Sequence, residues 1–342
     1  MLDPIGRLVL PLRPMRLVFV MDPVDTVIVD EDTSFALMLE AQARGHRVDW
    51  CRERDVELID GRARAAVRRA TMDRAADPPI DLAETELVDL ADDVDAVFIR
   101  KDPPFDAHYH WLTLVLEHLR GQTLVVNDPQ GLRNANEKLY ACHFPELMPR
   151  TLVAADKARI KAFLEEVGGR GVIKPIDGHG GEGIFALSRD DKNLNGLIEA
   201  VTHAGRRSAM VQAFIPEVTE GDKRILLMDG QILGAILRVP QKDDVRSNIH
   251  VGGSVVATEI TDADRHIVET LTPMLRADGL WFVGLDVIGG KLTEVNVTSP
   301  TGIQQMSRLS DTNCEAPVLD WLEEAVENGP PEHEAAAAGE DA

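Results

Sequence analysis

The sequence predicts an α/β protein in which a parallel α/β layer precedes a set of antiparallel hairpins. Strand and helix signals alternate through the first 130 residues, as strands joined by helical crossovers require. After Pro129 the character changes, and turn pairs such as Asp229-Gly230 and Gly289-Gly290 separate short apolar runs. Hydrophobic residues make up 44% and aromatics only 4%, a composition that suits an aliphatic α/β core. At 342 residues the chain exceeds one typical core, so two or three subdomains are expected.

Residues 1–14 read as an extension ahead of the fold, with Met15 as an alternative start. The layer over 15–130 holds a strand at 16–21, a helix from Thr33 to Arg44 stopped by Gly45, and a strand at 46–51. Asp60-Gly61 suggests a hairpin turn. A strand at 94–100, a helix over 107–120 stopped by Gly121 and a strand at 123–127 complete it in a Rossmann-like order. No Gly-x-Gly-x-x-Gly follows the first strand, so dinucleotide binding has no support.

The second part runs from 131 to 329. It predicts a helix from Asn134, strands at 171–174, 184–188 and 209–214, a helix near 191–205, and another over Asp262–Ala277 between the two later hairpins. Residues 330–342, with Pro330-Pro331 and Ala335 to Ala338, have too little apolar bulk to pack and read as a disordered tail.

The balance of 36 basic and 58 acidic residues gives a net charge of -22, which disfavours a nucleic-acid partner. Cys51, Cys142 and Cys314 are widely separated and lack metal-ligand spacing, so reduced thiols in the cytoplasm are expected. The apolar run Val9 to Leu12 is too short to span a bilayer and lacks a signal-peptide cleavage pattern, so no membrane partner is expected. A homo-oligomer is compatible with these features.

The strongest chemical signal is Asp286 to Asn296. On an extended strand Glu294 and Asn296 face the same way and offer hard oxygen donors suited to magnesium. A two-residue turn at Gly289-Gly290 would set Asp286 opposite Thr293, on the wrong face. A three-residue turn over 289–291 would pair Ile288 with Leu292 and Asp286 with Glu294. A longer or bulged turn is therefore expected if Asp286 shares the metal. On this segment alone an ordinary exposed strand face carries equal weight.

A second signal is Gly171 to Lys174-Pro175, followed by the glycine-rich stretch Gly178-His179-Gly180-Gly181-Glu182-Gly183 and a strand. Glycines let backbone N–H groups close around an anion, and Lys174 adds positive charge. The pattern is not a Walker A loop, and such hairpins are more often turns only. Asn136-Glu137-Lys138 places a second lysine at a helix start, a position more often solvated. Arg100 ends a buried-looking strand, where α/β sheets place ligand groups. Arg224 and Arg238 flank the Asp229-Gly230 turn and suit carboxylate or phosphate, although surface salt bridges are the commoner use.

Together these stretches resemble the ATP-grasp ligases, and most closely the bacterial glutathione synthetase family. The residues that carry the likeness are Met21-Asp22-Pro23, Asp32-Thr33-Ser34-Phe35, Arg100-Lys101-Asp102-Pro103-Pro104-Phe105-Asp106, Asn136-Glu137-Lys138-Leu139, Lys174-Pro175, Gly221-Asp222-Lys223-Arg224 and Thr293 to Thr301. It covers roughly residues 15–328. The resemblance implies an ATP-grasp fold over 131–329, with a lid subdomain about 138–215, behind a pre-ATP-grasp domain at 15–130.

It also implies roles. Lys138 and Lys174 would hold ATP phosphates under a loop that includes Gly178, Gly180, Gly181 and Gly183. Gln212, Phe214 and Ile215 would contact adenine, with Asp222 near the ribose. Asp286, Glu294 and Asn296 would hold one or two magnesium ions, or manganese. Arg100, Arg224 and Arg238 would meet the dipeptide or the reacting phosphate. Arg246, Asn248, Gly252 and Gly253 would belong to a mobile lid over Val239 to Ala257, and Ser299 and Thr301 to the substrate end. His179, Ser254 and Ala213-Phe214 depart from the expected pattern.

The implied reaction joins γ-glutamylcysteine to glycine through an acyl phosphate, giving glutathione, ADP and phosphate. No protein nucleophile is needed. Two other readings stay open on the residues: a ligase that adds an amino acid to another peptide or protein tail, and a module that binds magnesium-ATP without turnover.

Overall fold

In the computed structural model, which describes residues 13–240 and 254–329, the first strand begins where the apolar pattern does. Strand β1 (Arg16–Met21) is buried beyond its first residue and pairs in parallel with β2 (Arg47–Cys51) and β6 (Ala96–Arg100). Strand β7 (Leu124–Val126) extends the parallel set beyond β6. Such continuous apolar runs suit strands covered on both faces. Helix α1 (Thr33–Ala43) starts on Asp32, whose carboxylate accepts from Phe35 N at 2.7 Å. Asp106 caps α2 (Ala107–Leu116) in the same way, accepting from Tyr109 N at 3.0 Å.

The layer is not purely parallel. Strands β3 (Val56–Ile59), β4 (Arg62–Met72) and β5 (Ile80–Asp89) add an antiparallel wing, giving the order β3-β4-β2-β1-β6-β7 with β5 beside β4. Asp60 and Gly61 close β3 to β4 with φ of 51° and 80°, as a tight hairpin demands. The basic run from Arg62 is one side of β4: Ala63, Ala65 and Val67 face the core, while Arg62 pairs with Asp89 at 2.6 Å. Arg13 ion-pairs with Asp95, so the described end of the expected extension touches the first sheet.

The helix expected from Asn134 is corrected. Pro129 at the first turn and the Asp128 cap start α3 (Pro129–Asn134) earlier, and Asn134 is its last residue. Asn136-Glu137-Lys138 therefore lies in a turn, held by Asn136 Oδ1 accepting from Lys138 N at 3.1 Å and Leu139 N at 3.0 Å.

A second, wholly antiparallel sheet has the order β10 (Phe185–Ser188), β9 (Arg170–Pro175), β11 (Ala209–Ala213), β8 (Thr151–Ala154). Its own apolar cluster joins Ile173, Leu187 and Val211 to Ile160, Phe163 and Leu164 of α4 (Lys157–Glu166) and Ile198 of α5 (Leu194–Val201). Each such buried side chain contributes about 1.5–3 kcal/mol.

The third sheet has the order β14 (Ser254–Ala257), β13 (Gln231–Val239), β12 (Asp222–Met228), β15 (Phe282–Ile288), β16 (Lys291–Asn296), all antiparallel. Asp229-Gly230 closes β12 to β13 with Met228 opposite Gln231. One face, with Ile225, Leu227 and Leu285, clusters with Ile267, Leu271 and Leu275 of α6 (Asp262–Ala277). The other face is divided. Leu226, Met228 and Ile236 cluster with α7 (Ile303–Ser310) and α8 (Ala316–Asn328), while Asp222, Arg224, Arg238 and Asp286 occupy the far end of the same face. Buried Asn127, just past β7, ties the first sheet to this one: its amide donates to Phe282 O at 2.9 Å and Val297 O at 2.8 Å, and accepts from Phe282 N at 2.7 Å.

Candidate active site

The β15–β16 hairpin decides whether the acidic residues converge. Gly289 and Gly290 adopt φ of 56° and 71° and make a two-residue turn, with Ile288 opposite Lys291. The three-residue turn over 289–291 is thus corrected, because two consecutive positive-φ glycines favour the tighter form. The register then slips between Val287, opposite Leu292, and Asp286, opposite Glu294. Thr293 is the extra residue, and its hydroxyl donates to Asp286 O at 3.0 Å. The bulge does what the longer turn was expected to do: Asp286 faces Glu294, and Gly284 faces Asn296.

Asp286 is buried and held by two arginines. Arg224, directly opposite on β12, donates from Nε at 2.5 Å and Nη2 at 3.1 Å, and Arg238 Nη2 lies 3.0 Å away. Arg238, on β13, also pairs with Asp222, opposite it on β12, at 2.5 Å. Burial alone would raise the Asp286 pKa, but Arg224 and Arg238 outweigh it and hold the carboxyl well below its ordinary range. Asp222 goes the other way: burial outweighs the pull of Arg238 and Arg224 and pushes it up to about 7.

The two lysines reach the same centre from elsewhere. Lys174 of β9 places Nζ 3.3 Å from Glu294 Oε1 and 3.3 Å from Thr293 O, while Lys138 Nζ is 3.6 Å from Glu294 and donates to Gly178 O. Burial would raise the Glu294 pKa, yet Lys174 and Lys138 lower it, so the carboxylate stays charged. The Lys138 turn is fastened to the third sheet by Val295 N donating to Glu137 O at 2.9 Å. Glu137 Oε1 accepts from Val297 N, Thr298 N and Thr298 Oγ1 at 3.1, 3.2 and 2.8 Å.

These groups line one cleft of about 520 Å³ between the sheets. Its wall includes the loop residues Gly178, Gly180 and Gly181; Gly183 stands off it, with its α-carbon turned toward Pro175. A side chain at Gly178 would meet Pro175 Cγ at 2.6 Å, and Gly180 has φ of 62°, so the loop shape requires glycine at both. Gln212, Phe214, Ile215 and Ile288 form an amide-and-apolar end, with Gln212 Nε2 donating to Thr151 Oγ1 at 3.2 Å and Arg170 lying 4.0 Å over the Phe214 ring.

At another part of the wall stand Arg100, Ser299 and Thr301. Arg100 donates from Nε to Ser34 Oγ and from Nη2 to Pro300 O, each at 3.0 Å, and burial lowers its pKa. Arg224 Nη1 donates to Thr301 O at 3.3 Å. Arg246, Asn248, Gly252 and Gly253, expected in a lid, lie outside the described residues, as does the 330–342 tail. His179 lines the cleft, whereas Ser254 is exposed at the start of β14. Glu137 and Gln305 also line it. The motif residue Glu137 carries no obvious role in sequence because its partners are the backbone N–H groups of Val297 and Thr298 and the Thr298 hydroxyl, about 160 residues away, and Gln305 shows no pattern at all.

Among the described residues no group of three or more His, Cys, Asp or Glu could hold a metal by itself. Asp286, Glu294 and Asn296 instead supply two carboxylates and an amide on adjacent strand positions. That partial, all-oxygen donor set fits magnesium, which takes its remaining ligands from phosphates and water.

Residues 15–133 match the model of the N-terminal domain of prokaryotic glutathione synthetase, and residues 137–311 match that of its ATP-grasp domain. The chain is 47% identical over 317 residues to a glutathione synthetase of Gloeobacter violaceus, covering 91% of this chain and 97% of that one. It is 44% identical over 328 residues to one of Thermosynechococcus vestitus, covering 90% and 99%. The crystal structure of the D-cycloserine synthetase DcsG shares the fold, with a TM-score of 0.63 at 16% identity over 91% of this chain and 99% of that one. With two domain models spanning most of its length and relatives above 40% identity, the chain belongs to the prokaryotic glutathione synthetase family, ATP-dependent ligases of the ATP-grasp fold.

Proposed function

We propose that this chain joins γ-glutamylcysteine to glycine with ATP, through an acyl phosphate, giving glutathione, ADP and phosphate. The observation that carries the proposal is the convergence of Lys138, Lys174, Asp286 and Glu294, drawn from two sheets and a turn, in one cleft. The substrate pair rests on the family relation. Lys138 and Lys174 neutralise the ATP phosphates while the cysteinyl carboxylate oxygen attacks the γ-phosphorus and ADP leaves. Asp286, Glu294 and Asn296 hold the magnesium, which supplies charge neutralisation at the phosphates. Glycine's amine then attacks the activated carbonyl carbon and phosphate departs.

Gln212, Phe214 and Ile215 seat adenine, and Asp222 the ribose. The arginines at 224 and 238 hold Asp286 charged and in register, so their first contribution is to keep the acidic face assembled. Residues 138–215 act as a lid subdomain, and the cleft excludes water that would hydrolyse the acyl phosphate. The reaction takes place in the cytoplasm; among the described residues no helix is long and apolar enough to cross a membrane. ADP release by the purified chain should require γ-glutamylcysteine and glycine together. Equal release with an unrelated peptide acceptor would replace the substrate assignment with the broader ligase reading.

A further inference from the structure

Near the turn that follows β16, two buried polar atoms on the cleft wall, Arg100 Nη1 and Gln305 Oε1, have no hydrogen-bond partner among the described residues; Arg238 Nε, at the acidic end of the same cleft, is a third. The side chains of Arg100 and Gln305 are more than nine-tenths buried, at 3% and 7% exposure. An unpaired buried donor or acceptor is costly, so an orphan facing a cleft marks where a ligand completes the bonding. Both sit around the turn that follows β16. Arg100 grips Pro300 O from the first sheet, Gly302 N donates to Thr33 Oγ1 at 3.2 Å, and Gln305 follows in the first turn of α7.

Of the two orphans at the turn, one is a cationic donor and the other a neutral acceptor. The chemistry that satisfies both is a carboxylate next to an ammonium, the free end of an α-amino acid. In γ-glutamylcysteine only the glutamyl end offers that pair, because the cysteine nitrogen is tied up in the amide. Glycine also carries both groups, but its amine must reach the activated carbonyl, and the lysines that serve the phosphate gather on Glu294 rather than on Arg100.

We infer that Gln305 is a specificity-determining residue: its Oε1 accepts from the α-ammonium of the γ-glutamyl group while Arg100 Nη1 donates to the neighbouring α-carboxylate. The inference rests on the ligase reading above and names which end of the dipeptide this part of the cleft recognises. Gln305→Met keeps the side chain's length and removes the acceptor; Gln305→Glu keeps an acceptor.

The test is steady-state ADP release by the full chain with γ-glutamylcysteine or with glutarylcysteine, the same molecule lacking the α-amino group. Gln305→Met should raise KM for γ-glutamylcysteine about 10- to 100-fold, with kcat and the KM values for glycine and ATP within about twofold. Wild type should lose a similar factor on glutarylcysteine, and the Gln305→Met penalty should vanish on that analogue. Gln305→Glu should retain a KM within a few-fold of wild type. An equal penalty on both dipeptides, or a rise confined to the glycine KM, would overturn the assignment and make Gln305 a structural residue. Absence of ADP release from wild type with γ-glutamylcysteine and glycine would instead remove the ligase reading itself.

Discussion

The two walls of the cleft hold their shape by different physics. On the β9–β10 side the loop from Gly178 to Gly183 depends on backbone conformation, with positive φ at Gly180, Gly181 and Gly183 and no room for a side chain at Gly178. On the β12–β13–β15–β16 side it depends on charge: Asp222, Arg224, Arg238 and Asp286 are buried in register across three strands. A wall made of backbone tolerates changes in neighbouring side chains and fails on changes in backbone freedom. A wall of paired charges fails when Asp286 loses its charge, because Arg224 and Arg238 are then left buried and uncompensated. Lys174 joins the two, rising from β9 to Glu294 on β16.

That contrast can be broken in order of severity. Glu294→Gln removes the carboxylate shared by metal and lysines and should lower kcat for ADP release by about 10²–10³-fold, while a thermal melt stays cooperative. A kcat near wild type would take Glu294 out of the site. Lys174→Met should act mainly on nucleotide affinity, raising KM for ATP by about 10- to 150-fold, since a charge-assisted contact contributes about 1.5–3 kcal/mol. Gly178→Ala should raise the same KM by a few-fold and cost about 1–3 kcal/mol in a urea melt, because the methyl group collides with Pro175. An unchanged melt would mean that the loop has slack.

The smallest effect concerns pH. Asp222 holds its proton in the folded state up to about 7, against an ordinary value of 3.8, so the folded chain binds more protons than the unfolded one between those limits. Stability from this group therefore falls as pH rises from about 4 to about 7. Asp286 and Glu294 are lowered instead, so their contribution is present above the ordinary carboxylate range and is lost as pH falls below about 4. Asp222→Asn should flatten the urea midpoint between pH 4 and 7 and leave the acid-side loss in place. A slope identical to wild type would remove Asp222 as its source.

The parts legible in the sequence are those set locally. Short apolar runs separated by helical patterns mark β1, β2, β6 and β7, and the Asp-Gly and Gly-Gly pairs mark all three predicted hairpins. The facing of Asp286 and Glu294 is legible only on the premise that they share a metal, because only a register shift lets both reach one face. Which residue bulges does not, since Thr293 is chosen by the tight turn beneath it and by its own hydrogen bond to Asp286 O. The helix placed at Asn134 fails because Asp128 and Pro129 cap an earlier one. Glu137 and Gln305 stay silent for a different reason: their meaning comes from backbone and cavity surfaces brought together only by the tertiary fold.

The acyl phosphate is the central claim, and oxygen transfer tests it most directly. γ-Glutamylcysteine labelled with ¹⁸O in its cysteinyl carboxylate should yield phosphate carrying one labelled oxygen per turnover, measured by mass spectrometry with glycine and ATP present. Unlabelled phosphate, with all of the label retained in the peptide product or unreacted dipeptide, would contradict the account.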